Sequence, residues 1–451
     1  MISVKFNWLF FTGIAFIIYL LFPTISWYSY FATLITIHQF ILVFNAIGSV
    51  IPIRYIFGAM MSLQLLFGPM LAYNGLDKFQ FGYYVMQIPE SDYFSYVIPA
   101  VIAFIAGLHF VSRKLEGELI NEIAIYKYVN QNPNLPYILI SVGFIASMIK
   151  GLFSSELSFI FYLLGGFKFI GAFILIIGNR KLKIIPLIIV YGSIFVSSLG
   201  EGMFHDLITW LIFLASVFAI KFKPGFKVKI TAFTLFIISV LTIQLLKGGY
   251  RDATWGRGEK SGLASFNKAY VESKTGNTFF SYRSLAENNI RINQGYIITN
   301  IMKTVPDKVP FAKGIELKQI LEAAILPRFI ASDKLKAGDQ TLFKMYTGMP
   351  LAKSTSMALS SIGDAYINFG VFGGCIFMFL LGLLYSEVLK AFHRYSKYYP
   401  VLLLFTPLVF YYPIRPDCEL QTILGHLVKS CFLIYVVFLV WRRYFRESRE
   451  S

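Results

Sequence analysis

Apolar runs of about 20 residues recur along nearly the whole chain, separated by short polar stretches. A helix of that length matches the hydrocarbon thickness of a bilayer, and inside hydrocarbon only a helix or a closed barrel satisfies its own backbone amides and carbonyls. The expected class is therefore all-α: a polytopic transmembrane helical bundle. The composition agrees, with 56% hydrophobic against 14% charged residues. The pattern predicts about twelve spans. Nine precede a long polar segment: Trp8–Pro23, Phe31–Val50, Tyr55–Ala72, Tyr96–Val111, Leu135–Met148, Leu157–Ile177, Ile184–Leu199, Leu207–Ile220 and Ile230–Leu246. Three follow it: Tyr366–Leu389, Val401–Tyr412 and Ile423–Trp441. The first run lacks a small-residue cleavage site and reads as an uncleaved anchor.

The expected organisation is an N-terminal bundle over 1–246, an external segment over 247–361, and a C-terminal bundle with a tail over 362–451. Orientation follows from the short loops. One alternate set holds 19 basic residues, among them Arg54, Lys127, Lys183, Lys229, Arg394 and Arg442, whereas the opposite set holds Lys78, Lys150 and Arg415 beside several acids. The positive-inside rule puts the first set and both termini in the cytoplasm and the long segment outside. The formal charge of +17 lies largely in those turns, so lipid headgroups are the expected partners and nucleic acid is not. Cys375, Cys418 and Cys431 show no metal-ligand spacing, and neither a metal nor a cofactor is expected.

The external segment carries 17 Lys or Arg against 9 Asp or Glu. Long translocated domains tolerate any charge, which is one reading; the other is an anion site for phosphates carried by a lipid. Its opening, Gly248-Gly249-Tyr250-Arg251-Asp252-Ala253-Thr254-Trp255-Gly256-Arg257, sets glycines beside two arginines and an aromatic ring. Arg251 and Arg257 offer forks to phosphate, and Trp255 offers either a sugar platform or an interfacial anchor. No phosphate-loop spacing is present, so an ATP-driven mechanism has no support. Arg291–Met302 and Lys313–Ile325 have helical apolar periodicity, suited to lying on the bilayer or to forming a small cap on the bundle. The turn Leu199–Asp206 supplies Glu201 and His205, either acid–base groups or solvated turn residues. Asp364 and Asn368 lie four apart on one helical face, with Tyr366 to the side; a helix-start role for Asp364 stands beside a chemical one.

The stretch from Ile325 to Leu381 resembles the C-terminal part of bacterial oligosaccharide repeat-unit polymerases, the Wzy-type O-antigen or capsule polymerases. The resemblance is carried by Leu326-Pro327-Arg328, then Asp333-Lys334, then Gly363-Asp364-Ala365-Tyr366-Ile367-Asn368-Phe369-Gly370 and the glycines entering the next span. Family members often have Glu where this chain has Asp364. The resemblance implies a GT-C-like membrane glycosyltransferase, metal-independent and without a nucleotide sugar. It would polymerise undecaprenyl-diphosphate-linked repeat units on the outer face of the bacterial inner membrane, with a chain-length regulator and a flippase as further partners. In that reading Arg328, Asp364, Glu201 and His205 are the catalytic candidates. Arg251, Trp255, Arg257, Lys334, Tyr366 and Asn368 are the substrate-binding ones. The alternatives are an O-antigen ligase, which shares the donor, and a lipid-linked oligosaccharide flippase.

Two predictions follow from this reading. Tags at Lys127, Lys183, Lys229 and Lys397 are protected from outside reagents in intact cells while tags near Lys268 and Pro416 react; labelling at Lys229 reverses the orientation. Arg328→Ala lowers transfer by about 100- to 1000-fold, the equivalent of ~2.7–4 kcal/mol for one preorganised donor, at unchanged thermal stability, and Arg328→Lys recovers only part because it lacks the fork. Near-normal turnover in a stable Arg328→Ala protein removes it from the site.

Overall fold

The structure, a computed structural model, describes residues 6–78, 82–110, 120–153, 155–256, 258–275, 281–326, 335, 338–352 and 355–442. The first half contains α1 (Trp8–Leu21), α2 (Trp27–Ala46), α3 (Ile53–Leu76), α4 (Glu90–Phe110), α5 (Glu122–Gln131), α6 (Leu135–Leu152), α7 (Leu157–Ile177), α8 (Ile184–Glu201), α9 (His205–Phe222) and α10 (Phe226–Gly256). Five short helices follow: α11 (Leu263–Thr275), α12 (Tyr282–Ile292), α13 (Gly295–Thr304), α14 (Ile315–Ile325) and α15 (Gln340–Thr347). Two long ones close the chain, α16 (Ser360–Ser396) and α17 (Leu420–Val440). Among the described residues ten helices, α2 to α4, α6 to α10, α16 and α17, are long and apolar enough to cross a membrane. The chain is thus an all-α, multi-pass membrane protein. Local sequence sets the helix starts: Asn7, Ser26, Ser281 and Asp339 each accept a first-turn amide on the side chain.

Two expected spans take a different form. Trp8–Leu21 is a helix of 14 residues, shorter than a usual span. In place of a helix over Val401–Tyr412 the chain forms a 3₁₀ turn, Leu402–Phe405, and a four-residue helix, Thr406–Val409. Pro400, Pro407 and Pro413 punctuate this run and remove the amides that a continuous helix needs. Its course is nonetheless along the bundle. Tyr399 and Phe405 pack edge-on against Phe438 near the end of α17, whereas Leu420, which starts α17, sits beside Asp364. Irregular backbone is tolerated at such a place when protein encloses it, and Val401, Leu404, Phe405, Val409 and Phe410 are fully buried.

α4 and α16 make the closest helix pair. A Cβ on Gly107 would collide with the carbonyl of Phe379, and one on Gly382 with the carbonyl of Phe104, so the two backbones touch through reciprocal glycines. Gly374 does the same beneath the Tyr96 ring. α3 is wound wider, as π-helix, over Leu63–Phe67 and Ala72–Leu76. Carbonyls along this widened stretch take outside donors: Gln64 accepts the Gln294 amide at 3.0 Å, Leu65 the Tyr93 hydroxyl at 2.8 Å, and Gly68 the Asn289 amide group at 3.0 Å. Those bonds dock the junction of α12 and α13 onto the bundle.

α13 is buried through Ile297, Ile298 and Ile301, so it forms part of a cap packed on the bundle instead of a surface amphipath. α14 buries Ile320, Ala323 and Ala324 while Ile315 and Ile325 remain exposed. α10 is held mainly at its ends. Lys229 Nζ donates to Ile47 O at 2.5 Å and Phe44 packs on Phe226 and Phe233 at one end; Tyr250 donates to Leu199 O at 2.6 Å at the other.

The glycine contacts give a direct test. Gly382→Leu and Gly107→Leu push a side chain into backbone that cannot yield, and destabilise by at least the ~1–3 kcal/mol of ordinary overpacking. Gly192→Leu, where a Cβ meets nothing within 4 Å, leaves the detergent thermal midpoint within error. Equal midpoints in all three proteins would show that α4 and α16 are farther apart.

Candidate functional site

The stretch Gly363–Gly370 works first as a receiving bracket for other helices. Asp364 is buried, at 6% exposure, and its Oδ2 accepts the amide of Leu420 at 3.2 Å, the first residue of α17. Asn368 accepts the amide of Leu317, in the first turn of α14, at 3.2 Å and donates to Asp364 O at 2.9 Å. Tyr96 donates to Ile362 O at 2.7 Å, and the Tyr366 hydroxyl faces Val305 O at 3.4 Å. At Gly370, φ is +66° and the Phe311 ring lies beneath it, a conformation and a closeness that a side chain would oppose. Asp364 is thus a helix-start residue, for α17 and not for its own helix.

A second group of polar residues gathers where α9 begins, α10 and α12 end, and the 410–419 segment passes. Arg251 Nε donates to Gly202 O at 2.9 Å, and its guanidinium lies 4.4 Å from the centre of the Trp255 ring, which holds the head in place with both terminal nitrogens unused by these contacts. Arg291 reaches from α12 over Gly248, its Nη2 3.5 Å from where a Cβ there would stand. Lys247 has Arg251, Arg291 and Arg415 as like-charged neighbours and Asp417 as its opposite. Neither Lys247 nor Arg291 donates a side-chain hydrogen bond to any described residue. Burial lowers the Arg291 pKa, an effect Glu287 opposes.

Arg415 pairs with Asp417 at 3.4 Å and lies over the Tyr412 ring. Burial alone would drive both groups towards neutrality. For Asp417 the charge and hydrogen bond of Arg415 outweigh burial and hold its carboxyl below the usual range; for Arg415 the surrounding acids, Asp417 first, keep the guanidinium charged. Burial pushes the neighbouring Cys418 thiol up to about 12. Beside this pair opens a cleft of about 530 Å³, bounded by α13, residues 356–358 and the 415–422 segment. Lys247, Arg251, Arg291 and Arg415 outnumber Asp417, Asp206 and Glu287 here, so the adjoining surface attracts anions.

The structure therefore brings Arg251, Trp255 and His205 into one region. His205 is half-buried, its Nε2 3.3 Å from Thr209 Oγ1, with Arg415, Asp417, Asp206 and Lys247 as its charged neighbours. Glu201 is exposed and faces Ser197 at 3.4 Å. Asp364, Tyr366 and Asn368 form the bracket instead. Arg257, Arg328 and Lys334 lie outside the described residues. Sequence reasoning passed over Lys247, Arg291, Arg415 and Asp417 as site residues. For the last two a signal was present: Pro413-Ile414-Arg415-Pro416-Asp417 sets a cation and an acid around prolines directly before a span, in a set of loops otherwise poor in basic residues. Lys247 and Arg291 carry no local signal, since convergence of four chain segments creates their setting.

Among the described residues no three His, Cys, Asp or Glu side chains are placed to share a metal ion. No curated protein and no solved structure matches the chain. A family profile described as a domain of unknown function, DUF8712, matches residues 7–443, nearly the whole sequence, and the chain belongs to that family.

Proposed function

We propose that this chain is a membrane glycosyltransferase that polymerises repeat units carried on undecaprenyl diphosphate, working at the outer face of a bacterial inner membrane. In this reading it crosses the bilayer twelve times with both termini in the cytoplasm, the irregular 401–412 segment counting as one crossing and α1 as another. The observation that supports it most is the convergence of Lys247, Arg251, Arg291 and Arg415 at the end of the bundle that carries the long polar segment. A diphosphate leaving group gains negative charge as the glycosidic bond breaks. Cations already fixed at a partly buried surface stabilise that charge without reorganising. Arg251, braced by Trp255 and Gly202, is preorganised for this task. Donor energy resides in the lipid diphosphate, so neither a nucleotide sugar nor a metal ion enters the scheme.

Arg291 and Lys247 are the sharpest probes, because their side chains hold nothing else in place. Arg291→Ala and Lys247→Ala are expected to keep the parent's thermal stability and to weaken binding of undecaprenyl diphosphate by roughly 10- to 150-fold each, the equivalent of ~1.5–3 kcal/mol for a charge-assisted contact. Elongation of a lipid-linked oligosaccharide, read as a ladder of products, falls with them. Unchanged binding in both variants, or a parent protein that translocates the lipid-linked unit without lengthening it, overturns the proposal.

A further inference from the structure

α6 and α7 meet at a glycine. A Cβ on Gly143 would collide with the backbone nitrogen of Lys168, so the two helices touch there and Lys168 is set against the face of α6. Lys168 lies well inside its span, about 16 Å along the axis from Leu157, at a depth where charge is rare and usually has a task. Helical side chains lean towards the N-terminus, which in α7 is the end that carries the cap, since Phe159 packs edge-on against His426 in the first turns of α17. The ammonium therefore sits nearer that end than its own Cα.

Its surroundings hold no counter-charge. Lys168 Nζ donates to Ser147 Oγ at 3.4 Å and lies 5.1 Å from the centre of the Phe144 ring and 5.4 Å from that of Phe169. The Ser147 hydroxyl donates to Gly143 O at 2.8 Å, so what it offers Lys168 is a lone pair. Among the described residues no carboxylate pairs with Lys168, and its charged neighbour is another cation, Lys150, in the last turn of α6. Lys150 is exposed, and its side chain has neither a hydrogen bond nor an ion pair with a described residue. Gly143, Ser147 and Lys150 recur at i, i+4 and i+7 and so form one stripe along α6. Beside the stripe Ile145, Met148 and Leu152 are exposed, which in a bilayer means facing lipid, and Phe144, Ser147 and Lys168 are only half-buried and open to the same side chains' surroundings. Two like charges this close raise each other's cost, and a single anion between them removes both costs at once. At that place the bilayer itself supplies the anion, as the phosphodiester of a phospholipid whose acyl chains already lie against α6.

We propose that this stripe binds one anionic phospholipid, its phosphodiester between Lys150 and Lys168 and its acyl chains on Phe144 and the lipid-facing side of α6. A headgroup with net negative charge, such as that of phosphatidylglycerol, fits better than a zwitterionic one, whose own ammonium competes with the two lysines for the phosphate. The lipid fastens α6, a peripheral helix, to the buried α7. The site is separate from the cations of α10 and α12, which are not among the charged neighbours of Lys168, and it stands whatever reaction the chain carries out.

The experiment titrates the full-length, delipidated protein in detergent with dioctanoyl phosphatidylglycerol, dioctanoyl phosphatidylcholine and glycerol 1-phosphate, reading binding by native mass spectrometry and by the thermal midpoint. Phosphatidylglycerol is expected to bind saturably, to raise the midpoint, and to bind at least about tenfold more tightly than either control. Lys168→Met weakens that binding at least about tenfold and Lys150→Gln at least about threefold, whereas Arg291→Ala leaves it within about twofold. Without lipid, the Lys168→Met midpoint is at or above the parent's, because methionine keeps the chain length and removes an unpaired charge. Lys150 is exposed, so Lys150→Gln decides the question alone should Lys168→Met fail to fold. Equal binding of phosphatidylglycerol and phosphatidylcholine, or affinity unchanged in both lysine variants, overturns the site. Binding of glycerol 1-phosphate as tight as that of the lipid overturns the lipid as its ligand, and loss in Arg291→Ala in place of the lysine variants moves the lipid to the other cluster and overturns the proposal.

Discussion

A single amide at the head of α17 finds its acceptor 56 residues earlier in the chain, on the buried carboxylate of Asp364. The first amides of any helix have no partner within it, and in a dry interior leaving them unsatisfied is costly, so the carboxylate fixes where α17 begins. Since Arg415 and Asp417 lie only a few residues before Leu420, the same bond determines where that pair hangs. Asn368, one turn further along α16, does for α14 what Asp364 does for α17. Little more than a turn of helix thereby sets the starting points of two others and the edge of the cleft.

Much of the architecture was legible because hydrocarbon imposes a one-dimensional signal: a run of apolar residues of the right length is both the cause of a span and its mark in the sequence. The segment 401–412 shows the limit of that signal. Its apolarity correctly announced burial, but Pro400, Pro407 and Pro413 decided that the buried backbone would not be a continuous helix. The conspicuous pattern Gly363–Gly370 stood out as a sequence, while its partners, Leu317 and Leu420, could not be named from it because a hydrogen bond between distant segments leaves no periodicity. Arg251 and Trp255 were legible for the opposite reason, lying within one turn of each other. Arg291 is an ordinary cation at a helix end until the π-helical stretch of α3 takes Asn289 and Gln294 and turns it towards α10.

The roles of the carboxylates follow from the same pattern of hydrogen bonds. Asp364 takes the Leu420 amide on Oδ2, and Glu419 takes the Gly338 amide and the Thr422 hydroxyl on Oε1, so both serve as struts. Asp417 is paired through Oδ2 with Arg415. Residue type alone gives these three acids equal standing; what separates them is the partner that the fold supplies to each.

The widened turns of α3 have a consequence for how this chain can change over time. A π-turn differs from an α-turn by one residue, so its presence makes the length of the segment 63–76 as binding as its composition. Losing a residue there would let the wide turn close into an ordinary α-turn. The helix's own amides would then compete for the carbonyls of Gln64, Leu65 and Gly68, which now serve Gln294, Tyr93 and Asn289, and the cap would lose part of its seat. Substitutions along α3 can be absorbed one at a time, whereas a single-codon deletion would act at a distance, on Arg291, more than two hundred residues downstream.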